Sequence, residues 1–108
     1  MRQLGAGQVR LLTESSLGPV IVDVREPEEY TGALGLLSGT FLIRLKDLTA
    51  RAEELGAHKE RHIIVVCRAG VRSTTAAAIL TGLGYEHVSN LKGGMLDWNQ
   101  QQLPVERD

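Results

Sequence analysis

The segment Arg61-His62-Ile63-Ile64-Val65-Val66-Cys67, followed by Arg68-Ala69-Gly70-Val71-Arg72, decides the fold. Its uninterrupted apolar run predicts a strand that is buried on both faces of a parallel sheet. The small residues from Ser73 to Leu83 predict a helix that is capped by the Ser73 hydroxyl and ended by Gly84. A strand, a tight loop and a helix in this order are typical of an α/β domain.

The rest of the chain alternates in the same way, with no repeat or linker to divide it. A second β-branched run, from Pro19 to Val24, predicts a central strand. Further strands are expected at residues 40–43 and 87–91. The predicted helices lie at residues 8–17, 25–30, 47–55 and 95–101. Gly18-Pro19 is expected to end the first of these helices, and the chain of 108 residues is expected to form one domain, 1–108.

Composition and charge exclude several classes of function. The formal net charge of -1 argues against a nucleic-acid-binding surface, and no apolar stretch has the length of a membrane span or a signal peptide. The single cysteine excludes an internal disulfide, and with three scattered histidines it also excludes the usual zinc sites. We therefore expect a cytoplasmic protein that binds neither nucleic acid nor membranes and holds no metal.

Cys67 lies where open parallel sheets bind their ligands, at the carboxyl end of a central strand. A tight loop that leads into a helix turns backbone N–H groups inward, and these donors favour a thiolate or a bound anion. The alternative is that Cys67 is a small hydrophobic residue that ends a core strand. Arg68 and Arg72 argue against this alternative, because their charges need solvent or an anion.

Other titratable residues are weaker candidates. His62 precedes Cys67 by five residues on the same strand, so it is too far away to act as its base. Asp23 ends the other central strand and is expected either to accept hydrogen bonds from loop amides or Arg25, or to cap a turn. Four acidic residues are expected on solvated helix faces: Glu28, Glu29, Glu53 and Glu54. Three residues near the C-terminus are expected in the core: Leu91, Met95 and Trp98.

Three segments together resemble the single-domain rhodanese (thiosulfate sulfurtransferase-like) family. They are Val22-Asp23-Val24-Arg25-Glu26-Pro27-Glu28-Glu29-Tyr30, Cys67-Arg68-Ala69-Gly70-Val71-Arg72-Ser73 and Leu91-Lys92-Gly93-Gly94-Met95-Leu96-Asp97-Trp98. The resemblance implies an α/β, three-layer domain in which helices flank both faces of a central parallel sheet of four to five strands.

The resemblance also implies a reaction, namely sulfur transfer through a persulfide on Cys67. Thiosulfate or a similar anionic donor would give its outer sulfur to the thiolate, and cyanide, a thiol or a protein cysteine would then remove it, with no cofactor. The loop backbone from Arg68 through Ala69, Gly70, Val71 and Arg72 to Ser73 would hold the sulfur. Arg68 and Arg72 would attract the donor, and Asp23 and Arg25 would support the loop.

One segment departs from the family pattern, which commonly reads Gly-His-Ile-Pro-Gly-Ala and then Ile-Pro-Leu. This chain has Gly35-Leu36-Leu37-Ser38-Gly39-Thr40 and Ile43-Arg44-Leu45 instead. The missing histidine and prolines leave the shape of this connection open.

Two other functions compete with the sulfurtransferase. Cysteine-dependent phosphatases and arsenate reductases share the architecture, but they have a histidine before the cysteine and five residues between cysteine and arginine. This chain has Val66 and four residues, and the shorter loop favours a lone sulfur over a tetrahedral anion. A sulfur-relay or protein-binding module with little turnover is the second alternative, and the sequence does not separate it from an enzyme.

Overall fold

A five-stranded, all-parallel sheet lies at the centre of the computed structural model, which describes residues 1–16 and 18–107. The strands are β1 (Arg2–Leu4), β2 (Val20–Asp23), β3 (Phe41–Leu42), β4 (His62–Val66) and β5 (His87–Leu91), in the spatial order β1-β5-β4-β2-β3. The two strands with the longest apolar runs, β4 and β2, are therefore interior strands, as the sequence predicted. Their carboxyl ends meet at one edge, where Asp23 pairs in register with Val66.

Helices cover both faces of the sheet. They are α1 (Ala6–Thr13), α2 (Pro27–Tyr30), α3 (Leu48–Arg51), α4 (Val71–Gly82) and α5 (Gly94–Gln100). On β4, Ile63 and Val65 pack into one core cluster with α3 and α4, whereas Ile64 and Val66 pack into a second with α1 and α5. Alternate side chains of β4 thus enter opposite core clusters, and the apolar run is continuous because both faces of the strand are buried. The three-layer α/β architecture is confirmed.

The predicted extent of the first helix is wrong. The helix α1 ends at Thr13, well before Gly18-Pro19, and Leu17, which the prediction included, lies outside the described residues. Thr13 Oγ1 donates to the Arg10 carbonyl at 2.8 Å, and Ser15 Oγ donates to the Leu12 carbonyl at 3.0 Å. Such hydroxyls occupy helix carbonyls and favour the end of a helix.

The predicted helix at 47–55 is only partly confirmed. Four residues form α3, and 3₁₀ turns precede it at Leu45–Asp47 and follow it at Ala52–His58. The predicted apolar face is buried, since Leu48, Ala52 and Leu55 are at most 5% exposed. In a 3₁₀ turn the side chains of residues i and i+3 lie directly above one another. Arg51 and Glu54 have this spacing and form an ion pair.

Two further expectations need correction. Ser73 does not cap α4, because Gly70 is the N-cap residue and its φ of 95° starts the helix two residues earlier than predicted. The strand β1 was not predicted. It is short and polar, and it joins the sheet through backbone pairing with β5.

The segment that departs from the family pattern is held by the C-terminal residues. Leu36 pairs with Glu106 in an isolated antiparallel bridge, and Asn99 Nδ2 donates to the Leu34 carbonyl at 2.9 Å. Gly35 has a φ of 65°, and a Cβ there would lie 2.7 Å from the Glu106 carbonyl oxygen, so a side chain does not fit.

Among the described residues, no helix has both the length and the apolar character to cross a bilayer.

Candidate active site

Cys67 follows β4 directly, and its sulfur faces the backbone of the loop. Sγ accepts hydrogen bonds from the Gly70 N–H at 3.1 Å and the Ser73 N–H at 3.3 Å. The residue is 1% exposed and belongs to a core cluster. The thiol is therefore buried, and two backbone donors converge on it. Such donors stabilise a sulfur that carries negative charge.

Two glycines allow the loop backbone to take this path. Gly70 adopts a φ of 95°, and a Cβ there would lie 3.1 Å from the Gly93 nitrogen. Gly94 adopts a φ of 57°, and a Cβ there would lie 2.5 Å from the carbonyl oxygens of Cys67 and Arg68. The backbones of the loop and of α5 thus approach more closely than any side chain permits.

The first turn of α5 holds the loop from behind. Met95 N–H donates to the Cys67 carbonyl at 2.9 Å, and Leu96 N–H donates to the Arg68 carbonyl at the same distance. Met95 and Trp98 on this helix are buried, as predicted. The loop carbonyls are therefore turned toward α5, while the Gly70 and Ser73 amides face Sγ.

Ser73 and Asn90 extend the polar surroundings of the sulfur into the core. Ser73 Oγ lies 3.2 Å from Cys67 Sγ and donates to Asn90 Oδ1. Asn90 Nδ2 donates to Gln3 Oε1 at 2.8 Å, Thr74 Oγ1 at 3.2 Å and the Gly70 carbonyl at 3.3 Å. Asn90 was not predicted as a site residue from the sequence. The signal was an asparagine inside an otherwise suitable strand, because this residue type is depleted in strands.

Glu29 forms a two-pronged ion pair with Arg72, so its assignment to a solvated helix face is wrong. The guanidinium donates to Oε1 at 2.6 Å and to Oε2 at 2.9 Å. These hydrogen bonds are the main cause that lowers the pKa of Glu29 to about 2. Glu28, Glu53 and Glu54 are exposed, as expected. The sequence feature that distinguishes Glu29 from Glu28 is its position three residues after Glu26, the spacing of a capping box. In the structure, Glu29 Oε1 accepts the Glu26 N–H.

Asp23 and Arg25 form a second ion pair, and this one is buried. Arg25 Nη2 donates to Asp23 Oδ2 at 2.7 Å, and the Arg25 N–H donates to Oδ1 at 3.0 Å. The guanidinium also donates to the carbonyls of Glu29 and Gly35, at 3.2 and 2.8 Å. Asp23 thus both caps the turn and fixes Arg25, and Arg25 in turn positions α2 beside the loop.

The chain matches the family model described as "Rhodanese-like domain" over residues 7–101. It belongs to this family. A protein from Allochromatium vinosum named sulfurtransferase is 34% identical over 86 residues, which cover 80% of this chain and 77% of that protein. A Schizosaccharomyces pombe protein named putative mitochondrial thiosulfate sulfurtransferase is 35% identical, with 76% of this chain and 64% of that protein covered.

A solved structure of a rhodanese-related protein from Thermoplasma volcanium has the same fold. It superposes with a TM-score of 0.88 at 24% identity, and the match covers 100% of both chains. The predicted resemblance and architecture are therefore confirmed for this rhodanese-like domain.

The loop residues Arg68, Ala69 and Val71 are exposed at the surface. Within residues 1–16 and 18–107, Arg68 has no ion-pair partner, in contrast to Arg72. Arg68 lines a cavity of about 360 Å³ together with α2 and the turn that follows it, Gly32, Ala33 and Leu34. In the described part of this rhodanese-like domain, Arg68 is thus a cation without an ion-pair partner at the rim of the Cys67 loop.

The histidines lie away from the sulfur. His62 begins β4, at the opposite end from Cys67, and its Nε2 lies 2.8 Å from Ser89 Oγ. Burial, with contributions from Arg2 and His87, lowers the pKa of His62. In the described part of the chain, no cluster of three potential metal ligands occurs.

Proposed function

We propose that this rhodanese-like domain is a sulfurtransferase that carries sulfur as a persulfide on Cys67, with thiosulfate or a similar anionic molecule as donor. The observation that carries the proposal is the convergence of the Gly70 and Ser73 N–H groups on the sulfur of the only cysteine. The sulfurtransferase names of the two relatives support it.

In the first step the Cys67 thiol loses its proton to solvent, and the thiolate attacks the outer sulfur of thiosulfate. A bond forms between Sγ and that sulfur, the sulfur–sulfur bond of the donor breaks, and sulfite leaves with the bonding electrons. The persulfide keeps one negative charge. Before the attack, the Gly70 and Ser73 N–H groups that already face Sγ stabilise the thiolate without reorganisation.

The second step returns the enzyme to its starting form. A nucleophilic acceptor such as cyanide or a thiol attacks the outer sulfur of the persulfide, and the Cys67 thiolate is the leaving group. The acceptor gains one sulfur atom, so atoms and charges balance over the two steps. A cysteine of a sulfur-accepting protein reacts in the same way.

The two loop arginines contribute differently. Arg68 has no ion-pair partner within the described ranges and attracts the anionic donor directly. Arg72 shares its charge with Glu29, so it contributes to donor attraction only as far as the carboxylate leaves it uncompensated. Arg25 is fully engaged with Asp23 and two carbonyls, and it supports the site by holding α2.

The test is to incubate the full chain with thiosulfate and to measure its intact mass. The expected result is a gain of one sulfur atom, absent in Cys67→Ser and reversed by cyanide. No gain at any thiosulfate concentration, or the same gain in Cys67→Ser, would overturn the proposal. If the protein hydrolyses a phosphate ester and takes up no sulfur on Cys67, the sulfurtransferase proposal is overturned in favour of a phosphatase.

The choice of acceptor distinguishes a sulfur-relay module from a free-standing enzyme. Loading of Cys67 with little turnover to cyanide or small thiols, but rapid transfer to a protein cysteine, would assign a sulfur-relay role. Turnover with small acceptors at the rate of loading assigns a free-standing enzyme.

A further inference from the structure

The Cys67 thiol belongs to a buried chain of hydrogen bonds that the proposed reaction does not use. Sγ lies 3.2 Å from Ser73 Oγ, and the Ser73 hydroxyl donates to Asn90 Oδ1. Ser73 is 0% exposed and Asn90 is 2% exposed. Because both side chains are shielded from water, neighbouring protein groups determine the acceptor toward which each proton of these hydrogen bonds points.

The orientation of the Asn90 amide is fixed by its neighbours. Nδ2 lies 3.3 Å from the Gly70 carbonyl, which can only accept. It also lies 3.2 Å from Thr74 Oγ1, whose own proton goes to that carbonyl. Since the amide nitrogen must face these acceptors, Oδ1 faces Ser73. Asn90 consequently accepts the one proton that the Ser73 hydroxyl carries.

This arrangement leaves Ser73 Oγ with lone pairs only toward Cys67. Lone pairs accept the proton of a neutral thiol, whereas a thiolate is stabilised by donors. The Gly70 and Ser73 N–H groups donate to Sγ in either form, but the Ser73 hydroxyl favours the thiol while Asn90 holds its proton. Turning the hydroxyl toward a thiolate would leave the buried Asn90 Oδ1 without a donor, which is unfavourable.

We propose that Asn90 is a positioning residue, which acts through the Ser73 hydroxyl and favours the neutral thiol form of Cys67. Asn90 thereby raises the lower limit of the pH range in which the nucleophile is available, and it acts against the Gly70 and Ser73 N–H groups and the charge of Arg72, which favour the thiolate. The inference rests on the proposed function only in taking Cys67 as the reacting group.

The test is a pH titration of the thiolate by its ultraviolet absorbance in the full chain, with Cys67→Ser subtracted. Cys67 is the only cysteine, so the difference reports one group. The two tyrosines stay protonated in the relevant range, because burial raises the pKa of Tyr30 to about 12 and raises the pKa of Tyr85.

Asn90→Val removes the acceptor and suits a buried strand, and Asn90→Ala serves if the valine variant does not fold. Either variant frees the Ser73 hydroxyl to donate to the thiolate. We expect the midpoint of the titration to fall by about half to one pH unit, which corresponds to one hydrogen bond. No shift, or a shift to higher pH, would overturn the role of Asn90.

A repeat of the titration in a Ser73→Ala background separates a role through the hydroxyl from a general structural effect. In that background the Asn90 variant is expected to leave the midpoint unchanged, since the hydroxyl is already absent. An equal downward shift in both backgrounds would overturn the proposal.

Gln3→Ala is the matched control. It removes one acceptor of Asn90 Nδ2, while Gly70 and Thr74 still orient the amide, so no shift is expected. A shift as large as that of the Asn90 variant would overturn the proposal.

The titration uses no sulfur donor, so the two proposals fail separately. Absence of sulfur loading would overturn the proposed function and leave the titration interpretable. An unchanged midpoint with normal loading would overturn the role of Asn90 alone.

Discussion

Two of the ion pairs near α2 differ in their access to water. Asp23 and Arg25 meet at 2.7 Å with 1% of each side chain exposed. Glu29 and Arg72 meet at 2.6 Å, but 25% and 35% of their side chains remain exposed. Similar distances thus occur in different environments. We expect the buried pair to hold the fold and the half-exposed pair to adjust the charge near Cys67.

The largest expected effect is that of Arg25→Ala on stability. The substitution leaves the Asp23 carboxylate buried without its partner, and breaking a buried pair in this way costs about 3–5 kcal/mol. Urea denaturation measures the free energy of unfolding. Arg51→Ala is the control, because it breaks an exposed pair with Glu54 and is expected to cost much less. Equal losses in the two variants would remove the distinction between buried and exposed pairs.

Glu29→Gln is expected to have a smaller effect on stability, one that depends on pH. The pKa of Glu29 is lowered from 4.5 to about 2 in the folded protein, so the folded state binds fewer protons than the unfolded state between these values. The stability that Glu29 contributes is therefore full above pH 4.5 and is lost as the pH falls to about 2.

Urea denaturation at a series of pH values checks this expectation. The wild-type protein should exceed Glu29→Gln in stability by about 1 kcal/mol at neutral pH, and the two curves should converge in acid. A difference that does not change with pH would mean that the carboxylate charge is not the cause.

Substitutions at the two members of the Glu29–Arg72 pair should change the KM for thiosulfate in opposite directions. Arg72→Ala leaves the negative charge of Glu29 unopposed and should raise the KM for thiosulfate, whereas Glu29→Gln frees the positive charge of Arg72 and should lower it. About two- to fivefold is expected in each direction at low salt. Transfer from the persulfide to an uncharged acceptor should change less, and equal effects on both half-reactions would contradict an electrostatic role.

The smallest effect is expected far from the loop, at His62. Its pKa is lowered in the folded protein, so the unfolded state binds the proton more readily. Stability is then full above the unfolded value of about 6.5 and falls as the pH decreases below it. His62→Gln should remove this part of the pH dependence in urea denaturation, while sulfur loading at Cys67 stays unchanged. If the stability of His62→Gln depends on pH in the same way as that of the wild-type protein, a group other than His62 causes the dependence.

Much of the fold could be predicted because buried parallel strands have a simple sequence pattern. The apolar runs of β2 and β4 indicated interior strands, and the loop at Cys67 followed from the end of β4. The edge strand β1 has no such pattern, since two of its three residues are exposed. The end of α1 depended on hydroxyl groups that bond to helix carbonyls, which apolar spacing does not reveal.

The arrangement of the candidate site was predictable where its residues are consecutive and not where they meet from distant segments. The loop 67–73 is one stretch, and its position between a predicted strand and a predicted helix indicated a tight loop. Glu29 and Arg72 are 43 positions apart, and Ser73 and Asn90 are 17 apart. Which acid faces Arg72 depends on how Arg25 orients α2, and the contact of Asn90 with Ser73 depends on the packing of α4 against β5.

The persulfide on Cys67 is tested most directly by measuring the sulfite released when the protein is mixed with thiosulfate without an acceptor. We expect one equivalent of sulfite per chain in a single burst, none from Cys67→Ser, and further release only after an acceptor is added. Continuous release without an acceptor, or release from Cys67→Ser, would contradict a persulfide on Cys67.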